Sequence, residues 1–440
     1  MQPSQNTIPQ RHTATFPITG PVAQLKQRML DWANQFSILC FLDNNQYPSQ
    51  HSRYECLLAV DARDTIVADD SGVDMLTRLQ QLHNKKQDWL FGHIGYDYKN
   101  ELEPKLTSAH AIKTGFPVFY FFIPQTVCYI DAGSQELTIA TYNDPTAIYK
   151  AIMATQLTVS LPVLPKLHFS NVINKNDYIT TIQKLRTHIA DGDCYEINFC
   201  NEGYCEKADV VPADVFKALN DISPAPFAAY YRVQDQYMMC ASPERYLTKR
   251  GDKLLTQPIK GTARRDADHA KDEAIKEALR IDIKERAENV MIVDLMRNDL
   301  ARVCISDTVQ VDELYGIYTF PQVHQMISTV SGAMRHGMPF TDAIRRSFPM
   351  GSMTGAPKHK VMQLIEQYEH SRRELFSGTV GYITPDGDFD LNVIIRSIFY
   401  NAATKYLSYQ TGGAITYDSD PAKEWDEMRL KAWALERIFS

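Results

Sequence analysis

The chain has 440 residues, of which 44% are hydrophobic and 22% are charged, a balance that excludes a disordered or fibrous protein and indicates a large globular one. Its formal net charge of -7 gives no electrostatic argument for binding nucleic acid or an anionic membrane, so a small molecule is the expected partner. No run of about 18 apolar residues occurs, and the eight scattered cysteines show neither zinc-site nor C-x-x-C spacing, so we expect reduced thiols and a cytoplasmic location.

The first part of the chain predicts a flexible start followed by strands and a helix. Residues 1–20 are polar and contain prolines, and we expect them to be flexible. The stretches FSILCFLD and YECLLAVDA predict strands, and VDMLTRLQQLH predicts a helix. The proline-containing segment 156–170 is interpreted as a connection between an N-terminal region, 1–165, and a second region, 166–440.

The second region opens with a helix and a strand. YITTIQKLRTHIADGDCYEINFC predicts a helix that ends at Asp191-Gly192 and is followed by a strand. Strands and helices are interleaved along the chain without a regular β-α-β period. We therefore predict an α+β fold rather than a doubly wound sheet.

A lysine in TQPIKGTARR is the first candidate for chemistry. Lys260 follows a short apolar run, and Gly261-Thr262 should bend the chain directly after it, so the side chain points either to solvent or into a cleft. Two interpretations of Lys260 are open. It could be a solvated surface lysine, or it could form a Schiff base with pyridoxal phosphate or a carbonyl substrate. A nucleophilic lysine must be neutral, so we expect burial, helped by Arg264 and Arg265, to lower its pKa.

Two pairs of glutamates are candidates for a metal site. Glu285 and Glu288 are three residues apart in a helix-like run, which places both carboxylates on one face. Glu424 and Glu427 share this spacing in a helix that should begin after Asp420. Four carboxylates would make an all-oxygen site for Mg²⁺ if the two helices meet. The alternative is that both pairs lie on solvated helix faces.

Two loops and one arginine are candidates for binding an anion. FPMGSMTGAPKHK is not a phosphate loop, because Pro357 precedes Lys358, but it leads into a helix whose first amides could hold a carboxylate. Gly412 and Gly413 permit close backbone approach, although both loops could equally be simple turns. Arg396 is a charge in the apolar run LNVIIRSIFY and needs either a ligand or a buried ion pair.

Several stretches together resemble one known family. GDCYEINFC, ASPERYL, PIKGTARR, ERAENVMIVDLMRNDL, MGSMTGAPK, GTVGYI, VIIRS and DSDPAKEWDE stand in the order found in the chorismate-utilising enzymes, the family of anthranilate synthase component I. The resemblance runs from about Tyr178 to the end of the chain. It implies an α+β fold of two facing antiparallel β-sheets flanked by helices, with the active site between the sheets. Region 166–440 would be the chorismate-binding catalytic region.

The resemblance also implies roles for the glutamates and the lysine. Glu288 and Glu427 would bind Mg²⁺ directly, whereas Glu285 and Glu424 would act mainly through water. Anthranilate synthases typically read PIAGT where this chain reads PIKGT, the form of a large aminodeoxychorismate synthase branch. Lys260 would attack C2 of chorismate as the C4 hydroxyl leaves, and ammonia would then add at C4. The product would be 4-amino-4-deoxychorismate, the precursor of 4-aminobenzoate and folate.

The remaining site residues follow from the same resemblance. Glu244, in ASPER, matches the family's general acid and base. Arg396 and the amides near Gly412 and Gly413 would clamp the enolpyruvyl carboxylate. Other residues expected to contact the substrate are Gly261, Thr262 and Ser352.

The chain departs from the family pattern at three places. Gln325 stands where many members have a histidine, and His324, one residue earlier, could be a general acid or a packed core histidine. Phe376 replaces a substrate-contacting tyrosine. SPAPF replaces an SPYMF-like segment, so we expect no feedback by tryptophan.

Ammonia is expected from a separate glutamine amidotransferase subunit, because no cysteine of this chain lies in a G-x-C-x-G setting. Two other functions stay open. Anthranilate synthase component I is one, although Lys260 argues against it. The other is a chorismate-binding protein without turnover.

Overall fold

The computed structural model describes residues 10–68, 73–157 and 163–440, and these ranges contain twenty β-strands in antiparallel pairs. They are β1 His12–Pro17, β2 Ile38–Asp43, β3 Tyr54–Val67, β4 Leu90–Ile94, β5 Phe119–Asp131, β6 Glu136–Thr141, β7 Ser170–Asn171, β8 Glu196–Cys205, β9 Phe227–Val233, β10 Gln236–Ser242, β11 Arg245–Arg250, β12 Lys253–Gln257, β13 Ile259–Arg264, β14 Gln310–Thr319, β15 Val323–Ala333, β16 Gly355–Ala356, β17 Thr379–Ile383, β18 Phe389–Asn392, β19 Ser397–Asn401 and β20 Tyr406–Ile415.

The same ranges contain eleven α-helices. They are α1 Val22–Ala33, α2 Met75–Lys86, α3 Lys99–Leu102, α4 Pro145–Ala154, α5 Lys175–Ala190, α6 Pro212–Ile222, α7 His269–Ile281, α8 Ile283–Ala301, α9 Phe340–Ser347, α10 Lys358–Tyr368 and α11 Pro421–Glu436. Short 3-10 helices lie at Tyr96–Tyr98, Gly351–Met353 and Arg437–Phe439. No helix in the described part of the chain is long and apolar enough to cross a membrane.

The strands form two series that share β5. One series runs β7-β8-β20-β19-β10-β9-β2-β3-β5-β6-β1, and the other runs β5-β4-β17-β18-β11-β12-β15, with β13 and β14 also paired to β15. The first residues of β5 pair with β4 and its later ones with β6, while β3 runs along the opposite edge. The largest core cluster contains Tyr231 and Cys240 from one series and Phe91 and Leu391 from the other. The predicted α+β fold of antiparallel sheets is confirmed.

The N-terminal region is built into the same sheet as the rest of the chain. β2 pairs with β9, and β4 pairs with β17. Residues 1–9 lie outside the described residues, but the expectation that residues 1–20 are flexible is wrong for His12–Pro17, which form β1 and pair with β6. The pairing supplies backbone partners that the polar sequence did not reveal.

Side-chain caps and a glycine set the ends of three helices. The Asp420 side chain accepts from the amides of Ala422 and Lys423 and begins α11, as predicted. Asp282 does the same for α8 by accepting from the Glu285 amide at 2.9 Å. α5 ends at Ala190, with Gly192 at φ +82°, where the Asp191-Gly192 signal predicted its end.

The predicted connection at 156–170 is described only in part. Residues 158–162 lie outside the described residues, and 163–169 contain no helix or strand. Regular structure resumes with β7 at Ser170.

Candidate active site

Lys260 turns into the interior of the protein. It lies in β13, its side chain is 9% exposed, and its ammonium donates a hydrogen bond to Glu196 Oε1 at 2.5 Å. The following residue, Gly261, has φ +85°, a backbone conformation that favours glycine and turns the chain directly after the lysine. Of the two orientations that the sequence left open, the structure has the buried one.

The charge of Lys260 is set by carboxylates. Burial lowers its pKa, but Glu196, Glu288 and Glu244 raise it, and the net result is a pKa above the ordinary lysine value. In the free protein the side chain is therefore an ammonium ion. Any nucleophilic role requires that this proton be removed first.

The expectation that neighbouring arginines lower the pKa of Lys260 is wrong. Arg264 is exposed, and Arg265 pairs with Asp272 at 2.8 Å. The register of β13 shifts between Ile259 and Thr262, at the left-handed Gly261, and this irregularity separates both arginines from the surroundings of Lys260.

Glu244 lies beside Lys260 and is poised to carry a proton. It follows β10, is 4% exposed, and its backbone carbonyl accepts from the Val393 amide at 3.0 Å. Burial raises its pKa to about 7, against the opposing effects of a hydrogen bond from the Ser352 hydroxyl and of the charges of Lys260 and Arg396. A carboxyl group with a pKa near neutrality can both donate and accept a proton under physiological conditions.

Arg396 is a partly buried cation next to Glu244. Its backbone has φ +51°, and burial lowers its pKa to about 10, opposed by the charge of Glu244. Within the described residues its guanidinium makes no hydrogen bond or ion pair, so the buried ion pair considered from the sequence is not formed. A guanidinium without a protein partner is suited to a carboxylate ligand.

The two glutamate pairs meet, which spacing alone could not establish. A Cβ at Gly261 would lie 3.1 Å from Glu285 Oε2, and a Cβ at Gly413 would lie 3.3 Å from Glu424 Oε2. Burial raises the pKa of Glu285 to about 7, and the charges of Glu288 on its own helix and Glu427 on α11 add to this effect. The carboxylates of α8 and α11 are therefore close enough to repel each other.

Lysines balance part of this negative charge. Lys284 lies 3.6 Å from Glu288, and Lys431 lies 2.9 Å from Glu427 and donates to the Gly412 carbonyl at 2.8 Å. The charge of Lys431 lowers the pKa of Glu427. With the side chains in these positions, no three His, Cys, Asp or Glu residues among those described converge as a ready metal site.

The donor chemistry nevertheless fits Mg²⁺. The four carboxylates form a hard oxygen set, and the charge of Glu427 raises the pKa of the other three. A divalent cation between them would relieve this repulsion. Glu285, Glu288, Glu424 and Glu427 are thus suited to hold such an ion once Glu427 and Glu288 turn from their lysines.

The glycines of β20 have different surroundings. Gly412 lies opposite Cys200, and a Cβ there would lie 2.0 Å from the Phe199 carbonyl oxygen, so close strand approach alone requires a glycine. Gly413 faces the glutamates of α11. Gly413 therefore lies at the carboxylate cluster, whereas Gly412 is set by the pairing of β20 with β8.

Ser352 and Thr262 flank the lysine and the glutamate. Ser352 lies in the 3-10 helix Gly351–Met353 and is 7% exposed; its hydroxyl binds Glu244, and its carbonyl accepts from Asn198 Nδ2 at 2.9 Å. Thr262 is exposed and accepts a long hydrogen bond of 3.5 Å from Gln325 Nε2.

The residues at the departures from the family pattern are buried. His324 hydrogen-bonds to Asp272 Oδ1 at 2.9 Å and to Thr319 Oγ1 at 3.0 Å, so it has the surroundings of a packed structural histidine. Gln325 Oε1 is buried with no hydrogen-bond partner among the described residues. Phe376 is 3% exposed and packs in the largest core cluster.

Glu196 is the site residue that sequence reasoning missed. It begins β8, is 1% exposed, and lies against the candidate nucleophile. A charge at the start of the apolar run EINFC was an available signal, of the same kind that identified Arg396.

Comparisons with known proteins show which family the chain resembles. Residues 40–437 match the model of a family described as chorismate binding enzyme. An anthranilate synthase component I-like protein of Synechocystis sp. is 35% identical over 79% of this chain and 71% of its own length. Aminodeoxychorismate synthase component 1 of Bacillus subtilis is 31% identical over 80% of this chain and 77% of its own. The crystal structure of anthranilate synthase component I from Streptococcus pneumoniae shares the fold, with a TM-score of 0.78, 24% identity, and coverage of 89% and 94% of the two chains.

Proposed function

Since this chain belongs to the chorismate binding enzymes, in the family of aminodeoxychorismate synthase and anthranilate synthase component I, we propose that it acts as an aminodeoxychorismate synthase. It would convert chorismate and ammonia to 4-amino-4-deoxychorismate for the synthesis of 4-aminobenzoate and folate. The observation that carries the proposal is the buried Lys260, held between Glu196 and Glu244. A nucleophile at this place is needed for amination at C4 through an adduct at C2.

The first half of the reaction forms a bond from lysine to substrate. The neutral amine of Lys260 attacks C2, both ring double bonds shift by one position, and the bond from C4 to its hydroxyl oxygen breaks. Glu244, with a pKa of about 7, gives its proton to the departing hydroxyl, which leaves as water.

The second half releases the lysine. Ammonia attacks C4, both ring double bonds shift back, and the bond between C2 and Lys260 Nζ breaks, so that the lysine leaves as an amine. Glu244 takes a proton from the new ammonium group at C4. Chorismate and ammonia have then become 4-amino-4-deoxychorismate and water, with Glu244 protonated as at the start.

Mg²⁺ would be held directly by Glu288 and Glu427 and through water by Glu285 and Glu424. When bound, it supplies positive charge at the C1 carboxylate, which withdraws electron density and eases addition at C2.

The unpaired guanidinium of Arg396 would bind the enolpyruvyl carboxylate, a planar anion that suits two parallel hydrogen bonds. The same end of the substrate would lie near the backbone of Gly412 and Gly413. Further contacts are proposed for Gly261, Thr262 and Ser352.

Ammonia would come from glutamine through a separate amidotransferase subunit, a proposal supported by the designation of relatives as component 1. The purified chain should then use ammonium but not glutamine. All eight cysteines lie within the described ranges and are free thiols, which supports our further proposal of a cytoplasmic location.

Product identification tests the proposed function. The chain is incubated with chorismate, Mg²⁺ and ammonium, an aminodeoxychorismate lyase is added, and the products are separated by chromatography. We expect 4-aminobenzoate from the parent and none from Lys260→Ala. Anthranilate would assign the chain to the other branch of the family, and unchanged chorismate would contradict turnover.

A further inference from the structure

We propose that Glu196 accepts the proton that Lys260 must lose before it attacks the substrate, and returns it when the lysine leaves. The inference rests on the proposed covalent function. Its starting point is the pair itself: Lys260 Nζ and Glu196 Oε1 are 2.5 Å apart, and both side chains are buried.

Glu196 is the acceptor that the geometry selects. Within the described residues, Glu196 is the hydrogen-bond partner of Lys260 Nζ, whereas Glu244 and Glu288 act on the lysine only through their charges. Glu244 is also excluded by its own role, because it must carry a proton to give to the leaving hydroxyl. A second carboxylate is therefore required, and Glu196 is in contact with the reacting nitrogen.

The backbone holds Glu196 firmly at this place. Glu196 pairs with Ala356 between β8 and β16, and the Tyr195 amide donates to the Ala356 carbonyl at 2.8 Å. At Gly355, where φ is +133°, a Cβ would lie 2.1 Å from the Glu196 carbonyl oxygen, so the two strands approach as closely as a glycine allows. A strand fixed in this way keeps the carboxylate on the lysine.

The hydrogen bonds of Glu196 suit it to take up a proton. Its Oε1 has Lys260 as donor, and its Oε2 is buried without a partner among the described residues. Glu369, equally buried, accepts from Arg373 at 2.6 and 2.9 Å and from the Cys200 amide at 2.8 Å. The second oxygen of Glu196 therefore has no donor among the described residues, unlike either oxygen of Glu369.

The transfer is balanced and creates no net charge. One proton moves from Nζ to Oε1, so that an ammonium and a carboxylate become an amine and a carboxylic acid, and the pair stays neutral overall. In a buried site this costs less than releasing the proton to solvent and leaving an isolated carboxylate behind. After the bond between C2 and Nζ breaks, the proton returns to the lysine amine, and the resting pair is restored.

Three further carboxylates among the described residues act on Lys260 through their charges. They are Glu244 from the turn before β11, Glu288 from α8 and Glu427 from α11. Each favours the ammonium form of Lys260 in the free protein, which explains why an internal acceptor is needed.

The test measures formation of the covalent adduct without ammonium. The full chain is mixed with chorismate and Mg²⁺ between pH 6 and 9, and the adduct on Lys260 is followed by mass spectrometry as the mass of one chorismate less one water. The parent is compared with Glu196→Gln, which keeps the size and polarity of the side chain but accepts no proton. Taking the ratio of the two rates removes the pH dependence of Glu244, which both proteins share.

In Glu196→Gln, solvent must take the proton of Lys260, so the variant reacts only through the fraction of lysine that is already neutral. We therefore expect the ratio of variant to parent rate to rise about tenfold per pH unit until Lys260 is largely neutral. The matched control is Glu202→Gln on the same strand, where a buried glutamate accepts from Tyr406, Ser371 and Lys113, and its ratio should not change with pH. A Glu196→Gln ratio that is constant over the range overturns the inference and leaves the covalent function intact. An absence of adduct in the parent overturns both.

Discussion

Replacing Glu244 with glutamine should stabilise the fold at neutral and alkaline pH while it abolishes turnover. The pKa of this carboxyl is about 7 in the folded protein against an ordinary value of 4.5. A difference of about 2.5 units corresponds to about 3 kcal/mol of unfolding free energy. Glutamine keeps an acceptor for the Ser352 hydroxyl but has no charge to bury.

The direction of the effect follows from proton binding. Below pH 4.5 the carboxyl is protonated in both the folded and the unfolded state, so it does not change the free energy of unfolding. Between pH 4.5 and 7 the unfolded chain ionises while the folded one stays protonated, so stability is lost as the pH rises. Above pH 7 the loss is complete.

Urea unfolding of the parent and of Glu244→Gln at pH 5 and pH 8 measures this directly. We expect the stability advantage of the variant to grow by about 2 to 3 kcal/mol between the two pH values. Ser352→Ala keeps Glu244 but removes a hydrogen bond that lowers its pKa, so it should move the loss of stability to higher pH. An advantage that is equal at both pH values, or a variant that retains parental turnover, would refute the reasoning.

Three further substitutions test the rest of the site. Arg396→Gln should raise the KM for chorismate about 30-fold, because roughly 2 kcal/mol of charge-assisted hydrogen bonding to the substrate is lost. The Tm should not fall, since the guanidinium has no partner in the described residues. A lowered Tm would indicate a structural role. Glu427→Gln should weaken Mg²⁺ binding at least about tenfold in calorimetric titration, and unchanged binding would exclude it as a ligand. His324→Gln should cost about 1 to 3 kcal/mol of stability through its bond to Asp272 and leave the pH dependence of turnover as in the parent; a shifted profile would give His324 a part in the chemistry.

Local patterns in the sequence predicted those features of the site that depend on neighbouring residues. The spacing of Glu285 and Glu288, and of Glu424 and Glu427, placed each pair on one helix face, and the cap at Asp420 fixed where α11 begins. These features are decided within one turn of a helix.

Features decided by distant residues were not predictable in this way. The pKa of Lys260 depends on Glu196, which is 64 residues away in sequence and in contact in space, and not on the adjacent Arg264. A glutamate at the start of a strand has no helical period and no cap to mark it. β1 was missed for a related reason, because its partner β6 lies far along the chain.

The pairing of distant strands sets an order of events during synthesis. β2 and β4 pair early with β3 and β5, but their other edges lack a partner until β9 and β17 have been made. Half of the carboxylate cluster lies in α11 at the end of the sequence. At about 5–20 residues per second, a ribosome needs on the order of tens of seconds to complete the chain. Throughout that time the nascent polypeptide exposes unpaired strand edges to the cell, and the proposed Mg²⁺ site stays incomplete until the final helix docks.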